Sequence, residues 1–280
     1  NYSSNNEIET TLENAKTALR LWKNTPLKIR KEAVSNFVEY FLSNNEIVEM
    51  LCKQIGRPIT QCPGEMRGFE ERAKYMIENC DRALLPLISK KNNEFDNYIE
   101  KEPLGTIFVI APWNYPLNTS VNSIVPSLLA GNTVILKHSS QTPLCAEQLF
   151  EAAEKSALPD NVFQYLHLDH ESTSKIIADS RIDHVLFTGS VSGGKEVKKS
   201  IGTRFIGAGL ELGGKDPAYV RYDCNLEHAI ENLVDGSYFN SGQSCCGIER
   251  IYVDEKIYEK FVDGFKSFTE NYNLGNPLEQ

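Results

Sequence analysis

Between Thr106 and Thr188, short apolar runs alternate with longer amphipathic stretches, and that alternation restricts the chain to one fold class. Residues 106–111, 133–138, 162–168 and 184–188 have the length and β-branched or aromatic content of buried strands. Residues 120–129, 143–156 and 172–179 carry apolar side chains at helical spacing. A strand, a helix and another strand in succession need a crossover connection, so the strands lie parallel. The expected fold is α/β with a mostly parallel sheet, whose ligands collect at the carboxyl ends of the strands.

Upstream, the pattern from Glu7 to Cys80 is helical: Leu12, Ala15, Leu19 and Trp22 share one face, and Ala33, Phe37, Tyr40 and Phe41 repeat the arrangement. Pro26 is placed to open the second helix. Residues 84–103 set Lys90-Lys91-Asn92-Asn93 between short apolar pieces, as in a projecting hairpin or linker. The 280 residues suffice for one large domain or two smaller ones, and 41% hydrophobic with 24% charged residues is globular composition.

A net charge of −9 argues against a nucleic-acid surface, and Lys195, Lys198 and Lys199, the densest basic group, read as a solvated helix face. No apolar run reaches the ~20 residues that span a bilayer, and the N-terminus is polar, so no membrane association is expected. The seven cysteines form no CxxC pair and read as reduced thiols of a cytoplasmic compartment. The five histidines show no ligand spacing with them, so no metal site is expected.

The unusual residues sit where the strands end. The first strand runs into Pro112-Trp113-Asn114-Tyr115-Pro116, the second into Lys137-His138-Ser139-Ser140, and the fourth into Gly189-Ser190-Val191-Ser192-Gly193-Gly194. The last is a glycine-rich strand-to-helix turn whose free N–H groups suit a phosphate, although it is not GxGxxG and is equally compatible with plain turn chemistry. Lys137 reads as a ribose or phosphate ligand or, more commonly for a lone lysine, as a solvated one. Asn114, between two prolines, is either a rigid amide donor for an oxyanion or an ordinary Asn turn.

Cys245, in Phe239-Asn240-Ser241-Gly242-Gln243-Ser244-Cys245-Cys246, follows Glu211-Leu212-Gly213-Gly214-Lys215 by 34 residues. A thiol with an ordinary pKa of ~8.5 needs a base or a positive field to act as a nucleophile. A buried Glu211, its pKa raised by desolvation, would meet that need directly or through water. Singly, Cys245 is as well read as a buried structural thiol, and Glu211 as an ion-pair member.

Taken together, Pro-Trp-Asn-Tyr-Pro at 112–116, Thr-Val-Ile-Leu-Lys at 133–137, Phe-Thr-Gly-Ser at 187–190, Glu-Leu-Gly-Gly-Lys at 211–215 and Phe-Asn-x-Gly-Gln-x-Cys at 239–245 resemble, in order and spacing, the aldehyde dehydrogenase superfamily. The resemblance covers essentially all 280 residues. It implies a Rossmann-like cofactor domain (1–84 and 104–212), a projecting hairpin or oligomerisation segment (85–103), and the first part of a second α/β catalytic domain (213–280).

It further implies that Cys245 attacks an aldehyde to give a thiohemiacetal, that Asn114 and the Cys245 N–H hold the oxyanion, and that Glu211 activates water to hydrolyse the thioester. Glu211 counts against the CoA-acylating branch, which releases its acyl group to a thiol. Cys246 is read as a neighbour rather than a second nucleophile.

Trp113, Lys137, Ser140, Gly189, Ser190 and Gly194 match the cofactor-binding positions. Many NAD-preferring members have Glu where this chain has Ser140, so the cofactor is expected to be NADP or NAD, with NADP at least tolerated and a preference for it open. His138 stands where the family usually has Pro. Members acting on succinate semialdehyde commonly carry an Arg eight residues after the oxyanion Asn; here it is Asn122, which leaves general aliphatic or aromatic aldehydes as the expected substrates.

The Glu-x-Phe-Gly-Pro segment that contacts the nicotinamide ribose, the rest of the catalytic domain and the C-terminal dimerisation strand do not occur. The chain is therefore expected to be part of a longer, homo-oligomeric protein. The competing expectations are a catalytically silent nucleotide-binding or structural relative, and a reductase of acyl phosphates on the related fold.

Overall fold

A computed structural model describes residues 1–91 and 95–279 of the chain. Four helices lead: α1 (Asn5–Trp22), α2 (Leu27–Leu42), α3 (Ile47–Ile55) and α4 (Cys62–Leu84). A hairpin follows, β1 (Leu87–Lys91) with β2 (Asp96–Ile99), and then the alternating segment: β3 (Thr106–Ala111), α5 (Pro116–Leu129), β4 (Thr133–His138), α6 (Pro143–Lys155), β5 (Phe163–Tyr165), α7 (His170–Ala178), β6 (His184–Thr188), α8 (Val191–Ile201) and β7 (Gly207–Glu211). The chain closes with β8 (Asp216–Val220), α9 (Leu226–Tyr238), β9 (Ile248–Val253) and α10 (Tyr258–Thr269).

The five strands β5-β4-β3-β6-β7 form one sheet, every pair parallel, as the alternation requires. The chain runs outward from β3 through β4 to β5, then returns to β6 on the other side of β3. The order therefore reverses between β3 and β6, and the loops after those two strands flank the crevice that such a reversal opens.

Alternate side chains of β3 serve two cores. Ile107, Val109 and Ala111 join the helical layer built by α2, α3, α4, α5 and α6, while Phe108 and Ile110 pack with Leu12, Ala15, Ile176, Ile177 and Val197 on the other face. Helices on both faces explain why β3 and β4 are buried at every position. A third, smaller cluster of Val220, Ile230, Val234 and Phe261 belongs to the segment after Glu211.

Two boundaries differ by three residues or more from the sequence expectation, and one strand was not expected. α5 begins at Pro116 rather than Ser120, because proline at the first helical position needs no amide partner and Ser120 Oγ donates to the Pro116 carbonyl at 2.6 Å. β5 shrinks to Phe163–Tyr165 as an edge strand. β7, with glycine at 207 and 209, gives no apolar run to read, yet pairs with β6 over five residues.

The hairpin expected at 84–103 forms, Leu87 facing Ile99 and Ile88 facing Tyr98. All four of these side chains are exposed. Asn92 and Asn93 of its expected polar tip lie outside the described residues. Lys195, Lys198 and Lys199 are exposed along α8, as read.

His138 ends β4 at 2% exposure, and neither ring nitrogen has a hydrogen-bond partner. Burial, then the charges of Lys137 and His167, push its pKa down to about 3 from 6.5. The unfolded chain thus takes up a proton below pH 6.5 that the folded chain refuses, so stability falls as the pH drops from 6.5 toward 3. One unit below the unfolded pKa the loss should be about 1.4 kcal/mol. In urea melts of the full-length protein at pH 7.5 and 5.5, His138→Leu should show a smaller acid shift than the parent by about that amount. Equal shifts would show that His138 is not the group responsible.

Candidate active site

The loops that leave β3 and α9 meet through one asparagine. Asn114 Oδ1 accepts from the adjacent Tyr115 N–H at 3.0 Å, which fixes the side chain; the N–H two residues on that an Asn turn would use is missing, because residue 116 is Pro116. Its Nδ2 then donates to the Gln243 carbonyl at 3.1 Å, two residues before Cys245. An amide nitrogen carries two hydrogens, so one remains for another acceptor.

Residues 240–242 hold an unusual backbone. Asn240, Ser241 and Gly242 have φ of 53°, 57° and 72°, successive left-handed residues in the short 3-10 segment Phe239–Gly242. Left-handed backbone costs roughly 1–2 kcal/mol per residue other than glycine, so other contacts must hold it. Asn240 is fully buried and supplies them: its N–H donates to Gln61 Oε1 at 3.1 Å, and its Nδ2 to the carbonyls of Asn114 and Gln243, each at 3.2 Å. Gln243 Nε2 closes the turn by donating to the Asn240 carbonyl at 2.9 Å.

Beneath both loops lies a buried ion pair that sequence patterning did not mark. Arg57 and Glu65 are 1% and 2% exposed and bond through Nη1 and Oε2. Arg57 Nε donates to Asn240 Oδ1 and Nη2 to the Asn114 carbonyl, both at 2.7 Å, and the guanidinium stacks 4.8 Å from the Tyr115 ring centroid. Glu65 Oε1 accepts from the N–H groups of Leu117 and Asn118 at 2.8 and 3.2 Å. α5 has no side-chain cap of its own, so a carboxylate from α4 caps it and answers its dipole. Burial pushes the Glu65 carboxyl up, while Arg57 and the two amides pull against it.

The 211–215 turn crosses the Cys245 loop closely. A Cβ on Gly214 would come within 2.7 Å of the Cys245 carbonyl oxygen, so only glycine fits there. Lys215 pairs with Glu249 on β9 and anchors the turn. Cys245 is exposed rather than a buried structural thiol, and its pKa is raised, first by partial burial and next by Cys246.

Glu211 departs from expectation: it is exposed, not buried, and among the described residues its carboxylate makes no hydrogen bond. The cause is its place at the end of β7, the edge strand, where nothing described covers its outer side. Its backbone is fixed, since its carbonyl accepts from the Gly189 N–H at 2.9 Å.

That bond ties Glu211 to the glycine-rich turn. Ser190 caps α8, accepting from the Gly193 N–H at 3.1 Å, and Gly194 lies against Leu212, where a Cβ would sit 2.7 Å from Cδ2. Ser140 is exposed just past β4. Lys137 is only 8% exposed, which contradicts the solvated reading, and burial pushes its pKa down. Among the described residues its ammonium has no hydrogen bond or ion pair, so a largely buried side chain offers an unpaired ammonium to an oxygen-rich ligand at the strand ends. Trp113 is half-buried beside the same loops.

All seven cysteines are free, and no group of metal-ligating residues occurs among the described residues. No helix there is long and apolar enough to cross a membrane.

A model of the aldehyde dehydrogenase family matches residues 1–280. The chain is 31% identical over 275 residues to a succinate semialdehyde dehydrogenase [NAD(P)+] of Escherichia coli, covering 98% of this chain and 59% of that protein. It is 29% identical over 277 residues to a D-glyceraldehyde dehydrogenase (NADP(+)) of Picrophilus torridus, covering 98% of this chain and 56% of that one. The crystal structure of an NAD-dependent aldehyde dehydrogenase from Sinorhizobium meliloti superposes with a TM-score of 0.93 at 27% identity, over 99% of this chain and 56% of its own. The chain thus spans little more than half the length of these relatives. With the match running from end to end and the parallel sheet and its loops in place, the chain belongs to the aldehyde dehydrogenase family.

Proposed function

We propose that the full-length protein oxidises an aldehyde to a carboxylic acid with NAD(P), with Cys245, Asn114 and Glu211 carrying the chemistry. The convergence of loops supports this most: the Asn114 amide is aimed at the loop of Cys245, and the turn after Glu211 packs on the Cys245 backbone.

The Cys245 sulfur adds to the aldehyde carbon. The charge that develops on oxygen is held by the second Nδ2 hydrogen of Asn114 and by the Cys245 N–H, a preorganised pair in which one donor is worth about 3 to 4 kcal/mol. The chemistry the nicotinamide supplies when bound is acceptance of hydride, and the carbon left on sulfur is then a thioester. Glu211 takes a proton from water, the hydroxide attacks the thioester, and acid and thiol are released. Because partial burial and Cys246 both raise the Cys245 pKa, the thiol needs a base before it attacks, and Glu211 is read in that role also.

The residues present fit a dinucleotide. Gly189, Ser190 and Gly194 form the turn at the α8 N-terminus, Lys137 is largely buried with an ammonium unpaired among the described residues, and Trp113 and Ser140 follow β3 and β4 at the same strand ends. Ser140 places no negative charge where a 2'-phosphate would sit, which supports acceptance of NADP as well as NAD.

The substrate class is read as general aldehydes. Asn122, exposed on α5, supplies no cation for a distal carboxylate, and relatives are named for both succinate semialdehyde and D-glyceraldehyde. The separate cluster around Val220 supports the start of a second domain near residue 213, and the exposed apolar hairpin supports oligomerisation through 85–103. Seven free thiols support a reducing, cytoplasmic setting.

Production of NADH and NADPH by the full-length protein across an aldehyde panel tests the activity. Cys245→Ala should lose at least about 10³-fold in turnover. Glu211→Gln should form NAD(P)H more slowly in the first turnover, because the thiol loses its base, and should release acid about 10²- to 10⁴-fold more slowly than the parent. Full turnover in the alanine variant, or a steady state untouched in Glu211→Gln, would remove those assignments. Ser140→Glu should weaken NADP binding roughly tenfold, about 1.4 kcal/mol, relative to NAD. An unchanged ratio would refute the role given to Ser140.

A further inference from the structure

Arg57 touches neither the thiol nor any residue matched to the cofactor, yet it reaches both loops of the site. Gly56, with φ of 74°, ends α3 in the left-handed conformation and turns the chain so that Arg57 enters beneath them. One edge of its guanidinium binds Asn240, the next Asn114 and the third Glu65, while its face lies on Tyr115.

We propose that Arg57, held by Glu65, is the positioning residue that fixes the oxyanion loop at 114–118 and the nucleophile loop at 240–246 in mutual register. The inference rests on the aldehyde-oxidation reading above.

The geometry asks for arginine in particular. Three acceptors lie in different directions around one planar group, and each is a carbonyl or carboxylate oxygen that a fork of N–H donors reaches at once. A lysine ammonium keeps the charge opposite Glu65 but loses the fork. Without the bond to Asn240 Oδ1, the left-handed run at 240–242 would lose one of its few fixed anchors, and Cys245 follows three residues later. The Asn114 carbonyl accepts from both Arg57 and Asn240, so displacement of either shifts the peptide that carries the oxyanion donor.

The test uses Arg57→Lys and Asn240→Gly in the full-length protein. Asn240→Gly leaves the ion pair intact and glycine takes the positive φ without strain, so it reports on the same link if the lysine variant fails to fold. Each should lower kcat by about 10- to 100-fold, with KM for the aldehyde and Kd for the cofactor within about threefold. Combined with Asn114→Ala, Arg57→Lys should cost less than the product of the two separate effects. The amides of Asn114, Tyr115, Leu117 and Asn118 and those of 240–246 should exchange with deuterium at least about tenfold faster, while those of β3 and β4 do not change.

Unchanged kcat, or effects that simply multiply, would overturn the proposal. If the parent oxidises no aldehyde, the functional reading fails separately and exchange decides the rest. Faster exchange in both loops then keeps Arg57 as their clamp, and unchanged exchange removes it.

Discussion

The Arg57–Glu65 ion pair is the contact on which the arrangement of the site depends. Both partners are almost wholly removed from water, which costs several kcal/mol per ion unless every lone pair and N–H is answered. Here Glu65 meets the guanidinium with one oxygen and two backbone amides with the other, and Arg57 adds a carbonyl and a side-chain amide. A pair so well satisfied recovers much of that cost, but a buried aliphatic pair would serve stability as well. What it adds is direction: three segments distant in sequence, at 57–65, 114–118 and 240–243, are bound to one rigid group.

The parallel sheet supplies the other fixed frame. Because strand order reverses between β3 and β6, the turns after them open on the same side, and β4 brings Lys137 alongside. The Gly189–Glu211 bond joins the glycine-rich turn to the strand that leads into the Gly214 crossing over Cys245. The surface read as binding a dinucleotide and the surface read as performing the chemistry are thus one continuous run of backbone.

The frame was largely legible in the sequence, because β3, β4 and β6 are apolar runs of strand length and helix-period segments separate them. The residues at strand ends were legible too, since Asn114 and Ser190 stand within two residues of proline or glycine, which rarely continue a strand or helix, and Lys137 closes an apolar run of strand length. β7 was not, because its two glycines and edge position leave no hydrophobic pattern to detect. Arg57 and Glu65 were hidden for a different reason. Their partners lie up to 183 positions away, and a charged residue has no periodicity that distinguishes a buried site from a solvated one. The burial of Glu211 was over-read: a carboxylate required by chemistry need not be enclosed by the segment that carries it.

Why asparagine stands at 240 follows from the same geometry. The position demands a positive φ, complete burial and simultaneous donors and acceptors. Glycine would satisfy only the first, and an aliphatic residue only the second. Aspartate would tolerate the backbone but offers no donor for the Asn114 and Gln243 carbonyls, and would set a second carboxylate beside Glu65. Asparagine alone tolerates the left-handed region while its amide accepts from Arg57 on one side and donates to two carbonyls on the other. The loop of Cys245 therefore owes its shape less to the flexible glycine at 242 than to a buried amide two residues earlier, which keeps a disfavoured turn in place.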